Sequence, residues 1–138
     1  MIIPHAIDHI VLRTDLYKEL IEFYCDVLGC TIERVAPEDI GLTQLRAGSA
    51  LIDIVDVNGK LGQPGGPAPQ DTGNNVDHFC LQIEPFEEQE LKAYLEKRGV
   101  ACGEFEDRYG AQGMGRSIYL QDIAGNNIEL CSVVSPSR

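Results

Sequence analysis

His9 and His78 lie in near-identical strings, Ile7-Asp8-His9 and Val76-Asp77-His78, one early in each half of the chain. A second echo follows at a similar interval, Ile52-Asp53-Ile54 and then Ile128-Glu129-Leu130. Each half therefore opens with a histidine and closes with a carboxylate, both inside apolar strings. Two neutral imidazoles and two carboxylates are a common ligand set for a divalent cation, and mixed nitrogen and oxygen donors suit Zn, Ni, Co, Mn or Fe. An isolated carboxylate on an apolar strand would cost several kcal/mol to bury, and a bound cation removes that cost. His9, Asp53, His78 and Glu129 are thus the candidate metal ligands.

Alternating strands can aim such residues. On a strand, His78 shares its face with Cys80 and Gln82, and Glu129 with Asn127 and Cys131, while Phe79, Leu81, Ile128 and Leu130 point the other way. His9 shares a face with Ile7, Val11 and Arg13, and Asp53 with Leu51 and Val55. Asp8 and Asp77 point away from their histidines, which leaves them an outer-shell or turn role.

The elements needed to carry these residues form the same series twice. In the first half a strand over 6–13 precedes a helix capped by Thr14 or Asp15, with Leu16, Leu20, Phe23, Val27 and Leu28 at helical spacing and Gly29 as its stop. Strands over 30–36, 41–47 and 50–57 follow. In the second half a strand over 76–83 leads to a helix opened by Pro85 and stopped by Gly99. Strands over 100–104, 117–120 and 127–133 complete it. The expected fold is α+β: two tandem β-α-β-β-β modules over 5–57 and 76–134, packed as a single domain. The Gly/Pro/Asn-rich stretch 58–75 reads as a linker or a lid.

Bulk properties narrow the partners. The chain has 138 residues, 43 % of them hydrophobic, with 22 acidic residues against 11 basic ones and a net charge of −11. Such a surface repels nucleic acid and anionic membranes, and no apolar run approaches a spanning helix. Five cysteines without a Cys-x-x-Cys pair argue for a reducing compartment, so a cytoplasmic protein is expected. Cys80 and Cys131 read first as small apolar fillers. His5 reads as an exposed tail residue. Arg13 is a candidate for a substrate carboxylate, or a strand-end charge. Arg108 and Tyr109, within the glycine-rich segment 104–115, are candidate substrate contacts, that segment being either a mobile lid or a long hairpin connection.

The ordered set Ile7-Asp8-His9-Ile10-Val11-Leu12, Phe23-Tyr24 with Val27-Leu28-Gly29, Val76-Asp77-His78, Tyr119-Leu120-Gln121-Asp122 and Gly125-Asn126-Asn127-Ile128-Glu129-Leu130 resembles the vicinal oxygen chelate superfamily. Glyoxalase I, extradiol dioxygenases and bleomycin-binding proteins belong to that superfamily. The resemblance spans nearly the whole chain and implies paired β-α-β-β-β modules forming a curved sheet cup around a metal. It implies His9, Asp53, His78 and Glu129 as ligands, although Asp53 stands where glyoxalase I has a glutamate. It further implies a metal acting as a Lewis acid on two substrate oxygens, with Glu129 first and Asp53 second as the proton-carrying group.

Three functions are open at this point, with a fosfomycin-type thiol transfer as a fourth behind them. A glyoxalase I-like lyase or isomerase would act on a small oxygenated substrate, with glutathione as a candidate co-substrate. An extradiol-type dioxygenase would need only His9, His78 and Glu129 around Fe(II). A non-catalytic, bleomycin-resistance-like protein would sequester a small molecule without needing the ligands. A homodimer is expected in each case, with both modules of a site drawn from one chain or exchanged between two.

Overall fold

The computed structural model describes residues 1–133 and divides into two compact units, residues 1–72 and the chain from Gly73 onward. Val134, expected to end the second module, lies outside the described residues. No helix among the described residues is long and apolar enough to cross a membrane.

Unit one runs β1 (His9–Thr14), α1 (Tyr17–Asp26), β2 (Thr31–Val35), β3 (Leu42–Ala47) and β4 (Ala50–Asp56). Its sheet is ordered β1-β4-β3-β2, with β1 parallel to β4 and the other neighbours antiparallel. A parallel pair needs a long crossover, and α1, β2 and β3 provide it. Helix α1 packs on β3 and β4, burying Leu20, Phe23 and Tyr24 with Leu45, Ile52 and Ile54. Gly29 adopts φ 72° after the helix, and the turn closes as the Cys30 N–H donates to the Tyr24 carbonyl at 2.9 Å.

Unit two repeats the series as β5 (Phe79–Ile83), α2 (Glu88–Lys97), β6 (Glu106–Gly110), β7 (Gly113–Gln121) and β8 (Asn127–Ser132), in the order β5-β8-β7-β6. Its β5–β8 pair is again parallel. Leu95, Val100, Ile118, Leu120, Ile128 and Leu130 are its buried apolar residues. Gly99 repeats the helix stop at φ 72°.

Several local expectations shift. Thr14 ends β1, and its hydroxyl accepts from the Leu16 N–H at 2.9 Å, so it shapes a turn before α1 instead of capping it; Leu16 takes the cap position without a side-chain bond. Helix α2 starts at Glu88, not Pro85, because the Glu87 carboxylate caps it by accepting from the Glu90 N–H at 2.9 Å. The strand expected over 100–104 is a single bridge, Cys102 to Leu120. Val100 is instead used to close α2, its N–H donating to the Leu95 carbonyl at 3.0 Å. The strand itself is the charged Glu106–Gly110, which pairs with the first half of β7. The glycine-rich segment expected as a lid or a hairpin connection is thus a hairpin, turning between Gly110 and Gly113.

The early part of the expected linker is hydrogen-bonded to unit one. Lys60 N–H donates to the Asp39 carbonyl at 3.0 Å and Leu61 N–H to the Ile40 carbonyl at 3.2 Å. Arg13 donates from Nη2 to the carbonyls of Gly62 (2.8 Å) and Gly66 (2.6 Å), and from Nη1 to Pro67 (3.3 Å). A side chain at Gly65 would run into that guanidinium, and one at Gly62 into the Asp56 carbonyl.

Candidate metal-binding residues in each unit

In unit one, β1 lies beside β4 with His9 opposite Leu51 and Val11 opposite Asp53. His9 therefore stands two residues before the rung that holds Asp53, on the same face of the sheet. Its Nδ1 is 2.6 Å from Asp8 Oδ2. That hydrogen bond, with the charges of Asp53 and Asp8, raises the His9 pKa above 6.5, against a smaller opposing effect of burial. Asp53 is only 4 % exposed. Its rung partner on β3, Gln44, donates to Oδ2 at 3.2 Å, and Arg34 in turn donates to the Gln44 Oε1 at 3.3 Å. The other oxygen, Oδ1, is buried without a hydrogen-bond partner among the described residues. A buried carboxylate oxygen left in that condition fits a cation ligand.

Unit two places the second pair in the same register. His78 directly precedes β5, so it stands just ahead of the strand expected to include it, and Cys80 lies opposite Glu129. His78 Nδ1 is 2.7 Å from Asp77 Oδ2. With that proton directed at Asp77, neutral His78 presents an Nε2 lone pair, the arrangement found behind metal-bound imidazoles. Nε2 lies 3.4 Å from Glu129 Oε1 and 3.2 Å from the Tyr119 hydroxyl. The Tyr119 ring meets the imidazole edge-on, with centroids 5.0 Å apart. Burial first, then Glu129 as hydrogen-bond partner and charge, pushes the Tyr119 phenol up. Glu129 is largely buried, and its Oε2 lies 3.5 Å from the Cys80 sulfur. Burial, Cys131 and Glu129 together push the Cys80 thiol strongly up.

Each unit thus brings one histidine to the face of one carboxylate. Among the described residues, no three or more His, Cys, Asp or Glu side chains converge as a metal cage. Asp8 and Asp77 each set a carboxylate oxygen against Nδ1 of the adjacent imidazole. Arg13 donates from both terminal nitrogens to three linker carbonyls, while its Nε is buried without a partner among the described residues. Arg108 donates to the Ser117 carbonyl and hydroxyl and to Glu106, each at 2.9 Å, and its guanidinium carbon lies 4.5 Å from the Tyr119 ring centroid. Tyr109 is exposed, as is His5.

Gln44 and Tyr119 were missed from the sequence. They are the antiparallel rung partners of Asp53 and Glu129 respectively. Aligning the halves through Leu45 and Leu120, which follow them, would have put the two in one column.

A search of curated proteins finds no match. Among solved structures, an integron cassette protein from the mobile metagenome of V. cholerae superposes with a TM-score of 0.76 at 24 % identity, over 97 % of this chain and 99 % of that one. A lactoylglutathione lyase from Agrobacterium tumefaciens superposes at 0.66 and 24 % identity, over 94 % of each chain. An antibiotic-binding protein from a Streptomyces species gives 0.69 and 20 % identity, over 97 % and 99 %. These likenesses concern the fold. The Glyoxalase/Bleomycin resistance protein/Dioxygenase superfamily model matches residues 6–130, and the chain belongs to that superfamily.

Proposed function

We propose that the chain is a divalent-metal-dependent enzyme of the vicinal oxygen chelate type, a glyoxalase I-like lyase or isomerase acting on a small oxygenated substrate. His9 and Asp53 of unit one and His78 and Glu129 of unit two are its metal ligands, and the working protein is a homodimer. The observation that carries this reading is the equal register of the two histidine–carboxylate pairs: Val11 opposite Asp53 and Cys80 opposite Glu129, each two residues after a histidine. The unpartnered Asp53 Oδ1 adds to it. When bound, the metal supplies Lewis-acid polarisation of substrate oxygens. Glu129, largely buried and beside His78 Nε2, is the group that carries a proton between adjacent substrate carbons, with Asp53 second. Asp8 and Asp77 hold the imidazoles in the metal-binding tautomer.

A three-ligand variant, with His9, His78 and Glu129 around Fe(II) as in an extradiol-type dioxygenase, gains some support from the Gln44 bond to Asp53 Oδ2, which already engages that carboxylate. Elemental mass spectrometry on wild type, His78→Ala, Glu129→Ala and Asp53→Ala separates the readings. Metal bound by wild type and lost in all three variants supports the four-ligand enzyme, to be assayed with methylglyoxal and glutathione. Iron retained in Asp53→Ala redirects the assay to catechols and oxygen uptake. No metal in wild type, even after reconstitution, sinks both readings and leaves a sequestering protein to be tested.

A further inference from the structure

Unit two carries a pair of adjacent thiols at positions where unit one has valines. Cys80 on β5 and Cys131 on β8 bring their sulfurs to 3.3 Å, beside Glu129. The equivalent positions in unit one are Val11 and Val55, since Val11 faces Asp53 as Cys80 faces Glu129, and Arg13 faces Val55 as Gln82 faces Cys131. Small apolar packing is therefore met by two valines in one unit and by two thiols in the other. All five cysteines are free thiols, and Cys80 is exposed.

The sulfur geometry selects the chemistry. Cys80 and Cys131 are not rung partners; they are offset by two residues along the parallel pair, which sets their backbones farther apart than direct neighbours. Disulfides favour Cα separations of about 5.5–6 Å, so the offset works against one. Two sulfurs held by a single cation at about 2.3 Å each sit roughly 3.3–3.8 Å apart for bond angles from near-perpendicular to tetrahedral. The Cys80 thiol donates to the Cys131 sulfur at 3.3 Å, and a cation replacing that shared proton would meet both sulfurs with little movement. Thiolates also select soft cations over the borderline ions that imidazole and carboxylate favour.

We propose that Cys80 and Cys131 form a two-sulfur site for a thiophilic divalent cation, distinct from the histidine–carboxylate ligands and confined to unit two. On binding, each thiol gives its proton to solvent and each sulfur bonds to the cation, with no change of oxidation state. Water or a solute ligand fills the remaining positions. The site needs nothing from unit one, but it adjoins Glu129, whose Oε2 lies 3.5 Å from the Cys80 sulfur, so Glu129→Gln is the variant that separates it from the proposed enzyme.

The test uses the full-length chain, reduced and stripped of metal, titrated with cadmium(II). Two readouts are taken: thiolate-to-cadmium ultraviolet absorption, and alkylation of the cysteines mapped by mass spectrometry. The expected result is a thiolate absorption band whose amplitude corresponds to one two-sulfur site per chain, with Cys80 and Cys131 protected together while Cys25 and Cys102 remain reactive. C80V/C131V, which copies the valines of unit one, loses the absorption band, and Cys80→Val alone weakens binding at least tenfold. Glu129→Gln keeps the band even where it abolishes the metal of the proposed enzyme. A band that survives in C80V/C131V, no band in wild type, or protection mapping to Cys25 and Cys30 overturns the proposal. The protection map is read on the wild-type chain and stands whether or not the double variant folds.

Discussion

Units one and two share a topology, a parallel pair and a histidine–carboxylate register, yet they surround the carboxylate differently. In unit one Asp53 is tied through one oxygen to an amide, Gln44, while its other oxygen is buried without a partner. In unit two Glu129 is flanked by an imidazole, a thiol and a phenol. The same backbone register thus yields a short, half-satisfied carboxylate in one unit and a longer one amid titratable neighbours in the other. Register fixes where a carboxylate stands; the residues on adjacent strands fix what it can do. On the proposed function, unit one anchors the metal and unit two carries the proton.

The largest test of that division substitutes each carboxylate by its amide. Glu129→Gln should lower turnover by about 10²–10⁴-fold, the range for losing a general acid–base group. Asp53→Asn should cost only about 10–100-fold, acting through metal affinity. Steady-state kinetics at limiting and at saturating metal would measure both, the Asp53→Asn loss shrinking as metal saturates while the Glu129→Gln loss persists. Equal losses of turnover in the two variants would break the division.

Unit one holds the chain that follows its last strand. Arg13 gathers the Gly62, Gly66 and Pro67 carbonyls, and a Cβ at Gly62 would collide with the Asp56 backbone. Gly62→Ala should destabilise by about 1–3 kcal/mol, as expected when a close backbone contact must open. Urea unfolding should show that loss, while Gly110→Ala in the unit-two hairpin, where a Cβ meets open space, should change little.

What could be read from the sequence follows the range of each signal. The histidines and carboxylates were visible because the echo is local and strand alternation fixes their face. Gly29 and Gly99 were visible as helix stops because a positive φ favours glycine. Strand β6 was not, since Glu106-Asp107-Arg108-Tyr109-Gly110 pairs at an exposed hairpin and buries too little to leave an apolar period. Gln44 and Tyr119 were hidden because their role comes from strand pairing, which no local pattern states. The hydrogen bonds of Arg13 were hidden for a related reason: they go to backbone carbonyls of a glycine-rich stretch, and backbone oxygens carry no sequence signature.

The two pairing partners give a smaller, sharper comparison. Tyr119→Phe removes the hydroxyl 3.2 Å from His78 Nε2, and Gln44→Leu removes the donor to Asp53. Each should alter metal affinity by about tenfold or more, the scale of outer-shell groups, measured by competition with a chelating dye. Tyr119→Phe should in addition change the pH profile of turnover, whereas Gln44→Leu should leave its shape alone. A shifted profile in Gln44→Leu would put proton chemistry in unit one as well.

The gentlest test asks whether His9 and Asp53 sense each other at all in metal-free protein. The His9 pKa is raised above 6.5 chiefly by its hydrogen bond to Asp8, with Asp53 and Asp8 adding through their charges. Asp8→Asn should therefore bring the His9 titration down the most, and Asp53→Asn by less, both read by NMR of the imidazole protons. Because the folded-state value is raised, the protonated imidazole favours the folded protein fully below about 6.5, and that contribution is lost as pH rises through the folded value. A metal reverses the preference, since it needs the neutral ring. Binding should then strengthen across the same pH interval in which the protonated pair dissolves. If Asp53→Asn leaves the His9 titration where it was, His9 and Asp53 share a strand face without forming a pair, and the likeness between the two units ends at their backbone register.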